Sequence, residues 1–113
     1  MKNKQHLHFN QPAPDLLLKD VNGKDVRLSS LWQKKPLLLA FTRHFGCTQC
    51  KEMLDELVAG RDRIEQAGLN LAVILMGSVE ASREFAARFA PGLLCLTDPE
   101  RKAYQVFGIE RGG

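Results

Sequence analysis

Nowhere in the sequence do apolar residues run on for the roughly 20 positions that a bilayer span needs, so no transmembrane helix is expected. The amino end, Met1 to Phe9, carries Lys2 and Lys4 but lacks the apolar stretch of about 7 to 15 residues that defines a secretory signal. The sequence therefore reads as cytoplasmic. An excess of one charge is lacking too: 16 Lys and Arg stand against 13 Asp and Glu, a net of +3. The bases also alternate with acids at Lys19-Asp20, Lys24-Asp25, Lys51-Glu52 and Arg61-Asp62. Such mixing excludes a basic stripe for nucleic acid, and neither a nucleic-acid nor a membrane partner is expected. Internal repeats and low-complexity tracts are missing. Hydrophobic residues make up 44% of the 113 positions, near the globular norm, which suits one soluble domain with a packed core. Residues 1–11 read as a flexible N-terminus and 12–113 as the domain.

Cysteine is scarce. Three residues are too few, and odd in number, for a disulfide scaffold, yet two of them stand as Cys47-Thr48-Gln49-Cys50. A zinc site would need a second pair or two histidines to complete a tetrahedron. No second pair is present, and His6 and His8 precede the first ordered-looking segment, so no metal or other cofactor is expected. Cys95 lies in the apolar run Gly92-Leu93-Leu94-Cys95-Leu96-Thr97 and reads as a small buried hydrophobe.

The pattern around the pair alternates strand and helix. Leu37 to Thr42, apolar without alternation, suits a central parallel strand covered on both faces. Apolar residues Cys50, Met53, Leu54, Leu57, Val58 and Ile64 then recur every three or four positions, one face of a helix that starts beside Cys47 and ends at Gly68. Leu69 to Met76 reads as a second buried strand. Ser78 caps a helix with Phe85, Ala86 and Phe89 inward, which Pro91-Gly92 stop. A strand holding Cys95 follows. Asp98-Pro99-Glu100 then starts a short helix facing inward through Ala103, Tyr104 and Phe107, with the proline in its first turn. Upstream, Asn22-Gly23 between Leu16–Leu18 and Val26–Leu28 reads as a hairpin, after which Ser29 or Ser30 caps a turn through Trp32. The order hairpin, strand, helix, strand, helix, strand, helix predicts an α/β layered domain with a mostly parallel sheet.

That placement favours thiol chemistry. A helix N-terminus offers about half a positive charge and unpaired N–H groups, which stabilise a thiolate at Cys47. Arg43, His44 and Lys51 would add to this if they turn toward the sulfur. Residues three apart on a helix have Cβ atoms about 5 to 6 Å apart, and a disulfide needs about 3.5 to 4.5 Å, so a tightened first turn can bridge Cys47 and Cys50.

Pro12-Ala13-Pro14-Asp15-Leu16, Gly23-Lys24-Asp25-Val26 and Leu28-Ser29-Ser30-Leu31 resemble the entry segment of the peroxiredoxin (AhpC/TSA) family. Arg43 to Glu52, with its Cys-x-x-Cys, is similar to the peroxiredoxin-like subgroup carrying that pair. Thr97-Asp98-Pro99-Glu100 with Tyr104 and Phe107-Gly108-Ile109 resembles the family's later Asp-Pro and Tyr-Gly-Val region. The resemblance implies a three-layer thioredoxin-like fold, antioxidant chemistry on a disulfide or peroxide substrate, and a reducing partner protein or small thiol. The family's peroxidase motif Pro-x-x-x-Thr/Ser-x-x-Cys is altered: it would make Cys50 the attacking sulfur, with Cys47 at the threonine and Arg43 at the proline. Likeness to thioredoxins, which end the pair with Cys-Lys as Cys50-Lys51 does, instead makes Cys47 the attacking thiol and Cys50 the resolving one. The helix terminus and polar neighbours favour Cys47.

Two other classes stay open. Thioredoxin-fold relatives that carry copper use a similar cysteine pair with a histidine, and soft thiolates suit Cu(I), with His44 nearest in sequence. A non-catalytic interaction domain with an inert pair is the third. By family topology the chain also reads as truncated at its C-terminus, without the closing hairpin and helix, which would leave Leu37–Thr42 as an edge through which a homodimer forms.

Overall fold

A computed structural model describes residues 15–42 and 48–107. The expectations for residues 1–11, for Arg43, His44 and Cys47, and for Gly108 onward lie outside the described residues. The elements run β1 (Leu17–Asp20), β2 (Asp25–Arg27), a 3₁₀ turn (Leu28–Leu31), β3 (Leu37–Phe41), α1 (Thr48–Gln66), β4 (Asn70–Leu75), α2 (Val79–Phe89), β5 (Leu94–Thr97) and α3 (Lys102–Val106). This is the predicted alternation.

The hairpin forms because Gly23 takes φ +83°, which lets Asp20 N–H reach Lys24 O at 2.8 Å after a three-residue loop. The Asp20 carboxylate accepts from the N–H groups of Asn22 and Lys24, at 2.8 and 3.0 Å. The 3₁₀ turn begins before the serines instead of on them. Ser29 N–H donates to the Asp15 carboxylate at 2.9 Å and Ser30 Oγ to Arg27 O at 2.7 Å, so neither hydroxyl caps.

The sheet order is β2-β1-β5-β4-β3. β3, β4 and β5 run parallel, while β1 is antiparallel to both β2 and β5, so the sheet is mixed where a mostly parallel one was expected. Among the described residues β3 is the outermost strand, which corrects the central position read from its apolar run and agrees with the edge position that the family topology implies. An uninterrupted apolar run reports coverage of the two faces and says nothing about lateral neighbours. Even the coverage is incomplete: Leu37, Leu39 and Phe41 pack inward on one face and Ala40 on the other, but Leu38 stays 40% exposed.

Strand alternation divides the core in two. Ala72, Ile74 and Leu96 face Leu18, Leu28, Ala103 and Tyr104, while Val73, Leu75 and Cys95 face Leu54, Phe85 and Ala86. The result is three layers, with α1 and α2 on one side of the sheet and α3 with the 3₁₀ turn on the other. No helix is long and apolar enough to cross a membrane among the described residues.

Candidate active site at the end of the parallel strands

In open α/β sheets, sites gather beyond the carboxyl ends of the parallel strands. Here those ends are Phe41-Thr42, Leu75 and Thr97-Asp98. Thr42 is buried, and its N–H and Oγ1 both donate to Ile74 O, at 3.1 and 3.0 Å, extending the β3–β4 ladder by one residue. α1 begins six positions later. Its first two residues, Thr48 and Gln49, are exposed, whereas Cys50 is only 7% exposed. The helical period thus places Cys50 on the inward face, as the spacing predicts. Cys47 immediately precedes the described helix, outside the described residues. No acid occupies the first turn of α1, so nothing of its own sequence neutralises the positive end of the helix dipole.

Lys51 turns toward α2. Its ammonium lies 4.7 Å from the centre of the Phe89 ring, and the Arg88 guanidinium lies 5.8 Å from the same ring. Together with Thr48 they line an open cleft of about 380 Å³ beside the first turn of α1. Among the described residues no three His, Cys, Asp or Glu side chains come together as a metal site.

Below the site, Asp98 shapes α3. Its carboxylate accepts from Lys102 N–H at 2.9 Å and Ala103 N–H at 2.8 Å. The helix therefore starts at Lys102, and Pro99 and Glu100 form the preceding turn where the first helical turn was expected, with Arg101 left-handed at φ +59°. This cap orients Tyr104, whose hydroxyl donates toward Thr42 O at 2.7 Å and also lies 3.0 Å from Ile74 O. Burial pushes the phenol up to about 12, and the negative charge of Asp98 adds to the rise. Sequence reasoning placed Tyr104 on an apolar face and in the family's later motif, and gave its hydroxyl no partner. The available signal was chemical: a tyrosine on an inward face must find a partner for its O–H.

A buried thiol in the first turn of a helix that follows the outer strand of a three-layer α/β sheet, with an antiparallel hairpin on the far edge, defines a thioredoxin-like fold. The sequence comparison narrows it: the description "AhpC/TSA family" matches residues 9–113, and the chain belongs to that family. It is 33% identical over 103 residues to prostamide/prostaglandin F synthase of Salmo salar, covering 89% of this chain and 50% of that protein. It is 29% identical over 99 residues to peroxiredoxin-like 2C of Homo sapiens, covering 87% of this chain and 44% of that one. The chain thus spans half or less of these relatives' length. Among solved structures, peroxidoxin BcpB of Mycobacterium tuberculosis superposes with TM-score 0.80 at 23% identity, over 91% of this chain and 67% of that one. Copper-bound ScoI of Arabidopsis thaliana superposes with TM-score 0.68 at 23% identity, over 85% and 65%.

Proposed function

We propose that the chain is a peroxiredoxin-like thiol oxidoreductase in which Cys47 attacks and Cys50 resolves. The observation that carries the assignment is the burial of Cys50 on the inner face of α1 beside two exposed residues, Thr48 and Gln49. With a disulfide substrate, the Cys47 thiolate forms a mixed disulfide and releases one thiolate; Cys50 then attacks Cys47 sulfur, expelling the second thiol and closing a Cys47–Cys50 disulfide. With a hydroperoxide, Cys47 takes the distal oxygen, releasing the alcohol and leaving a sulfenic acid, which condenses with the Cys50 thiol and loses water. A dithiol protein or small thiol returns the two electrons.

Cysteine variants test the order. Cys47→Ser abolishes turnover of a model disulfide or hydroperoxide, while Cys50→Ser accumulates a stable mixed disulfide visible by mass spectrometry. Loss of the fast-alkylating thiol in Cys50→Ser alone would reverse the assignment. Likeness to the copper-bound neighbour motivates a parallel measurement. Stoichiometric Cu(I) retained by a protein that turns over neither substrate would replace the oxidoreductase reading with a metal-binding one. Pairing of two copies through β3 completes the proposal, supported by its outermost place among the described strands and by exposed Leu38.

A further inference from the structure

Thr48, Lys51 and Asp55 follow one another along one face of α1 at steps of three and four, with Glu52 one turn after Thr48. Opposite them stand Arg88 and Phe89 at the end of α2, and the two walls bound the open cleft of about 380 Å³. Covalent geometry puts this cleft at the reactive turn. Thr48 and Lys51 bracket Gln49 and Cys50, and at about 1.5 Å of rise per residue they span a single helical turn. Cys47 precedes Thr48 by one Cα step of about 3.8 Å.

The cleft carries charges of both signs, separated into two poles. Lys51 and Arg88 converge on the Phe89 ring, 4.7 and 5.8 Å from its centre, so the cations gather on the α2 side. Glu52 and Asp55 stay exposed on the α1 wall. Among the described residues none of these four side chains forms an ion pair, although all line one cleft. Two cations drawn to one ring repel each other until an anion joins them, and the acid pair is in the converse position.

We propose that the cleft selects the substrate: a small disulfide bearing both a carboxylate and an ammonium, the chemistry of an amino-acid or short-peptide disulfide. The carboxylate goes to Lys51 and Arg88, the ammonium to Glu52 and Asp55, and the carbon chain lies against Phe89. The proposal deepens the oxidoreductase reading and rests on it for the reaction. The Cys47 thiolate attacks one substrate sulfur, the S–S bond breaks, and the departing half takes a proton from water. The half seated in the cleft stays on Cys47 as a mixed disulfide until the Cys50 thiol displaces it and gives it the second proton. The substrate gains two electrons and the cysteine pair loses them.

Four disulfides that differ in the charged group on the second carbon from sulfur test this. L-cystine has both charges, 3,3′-dithiodipropionate carboxylates alone, cystamine ammoniums alone, and bis(2-hydroxyethyl) disulfide neither. Each oxidises the reduced protein in a single turnover at low salt. Every rate is divided by that of the neutral probe, and comparing these ratios between wild type and variant cancels the probes' own reactivities. Arg88→Gln should lower the ratios for cystine and dithiodipropionate by about fivefold, the scale of one exposed charge pair. Glu52→Gln combined with Asp55→Asn should lower those for cystine and cystamine similarly. Lys24→Gln, the same charge change on the exposed hairpin, should move none of them. Ratios unmoved by either cleft variant, or an Arg88→Gln pattern repeated by Lys24→Gln, overturn the proposal. Binding separates the site from the reaction. S-methyl-L-cysteine has the amino-acid end and no disulfide to exchange; it should shift the backbone amide resonances of Lys51, Asp55 and Phe89 in wild type and not in Arg88→Gln. Absence of those shifts overturns the proposal even where disulfides turn over. Their presence in a protein that no disulfide oxidises would sink the oxidoreductase reading and leave the ligand of the cleft standing.

Discussion

Two buried side chains hold their protons unusually well. Burial pushes the Cys95 thiol from its ordinary 9.0 up to about 11, and burial, with the charge of Asp98, pushes the Tyr104 phenol from 10.0 up to about 12. Both groups are acids whose folded value lies above the unfolded one, so the unfolded chain releases these protons first as pH rises. Their contribution is fully present below about pH 9. It declines between 9 and 11 through Cys95 and between 10 and 12 through Tyr104, by on the order of 2 to 3 kcal/mol each. Urea midpoints should therefore fall from pH 8 to pH 11, and Cys95→Ala should flatten the first part of that fall; a pH-independent midpoint would contradict it. The same variant should cost about 1 to 2 kcal/mol through lost packing and leave dithiol cycling intact. Ser82 is the opposite case: it is fully buried in α2 and its Oγ finds no hydrogen-bond partner among the described residues. Ser82→Ala should leave the melting temperature unchanged or raise it, because the serine spends desolvation without a bond in return.

Three helix ends are closed by devices that sequence shows to different degrees. Gly68, at φ +85°, follows α1 and sends its N–H to Glu65 O at 3.0 Å while Leu69 N–H reaches Ile64 O at 3.2 Å, a Schellman pair. No atom crowds a Cβ built there, so Gly68→Ala should cost only the left-handed strain, about 1 kcal/mol in a denaturant melt. Ser78 accepts from Ala81 N–H at 3.2 Å and starts α2, as its place before Glu80 predicts. α3 is different. Its capping acid was legible, but the reach of Asp98 over Pro99, Glu100 and Arg101 was not, since the carboxylate bonds N–H groups four and five residues on. Asp98→Ala should cost about 2 kcal/mol in a denaturant melt.

For the whole molecule, the mixed sheet leaves β3 outermost among the described strands, with Leu38 exposed on it. If two copies pair there, light scattering should show a concentration-dependent dimer that Leu38→Lys weakens; a monomer at all concentrations would remove that part of the proposal. Element types and their order were readable from the chain because periodicity is a local property: Phe85 and Ala86 turn inward six and seven residues after the start of an eleven-residue helix, and Ile74 alternates with Val73 across the sheet. Cys50 was likewise placed on the buried face of α1 by spacing alone. Three features had no local signature. The edge position of β3 depends on which strands lie beside it, and Lys51 went to Phe89 because α2 folds back beside α1. Tyr104 meets Thr42 across 62 residues of chain. Sequence by itself determined the types and order of the elements and the inward face on which Cys50 lies; tertiary structure alone decided which carbonyl the one tyrosine would hold, because that bond joins the ends of two elements that only the sheet brings together.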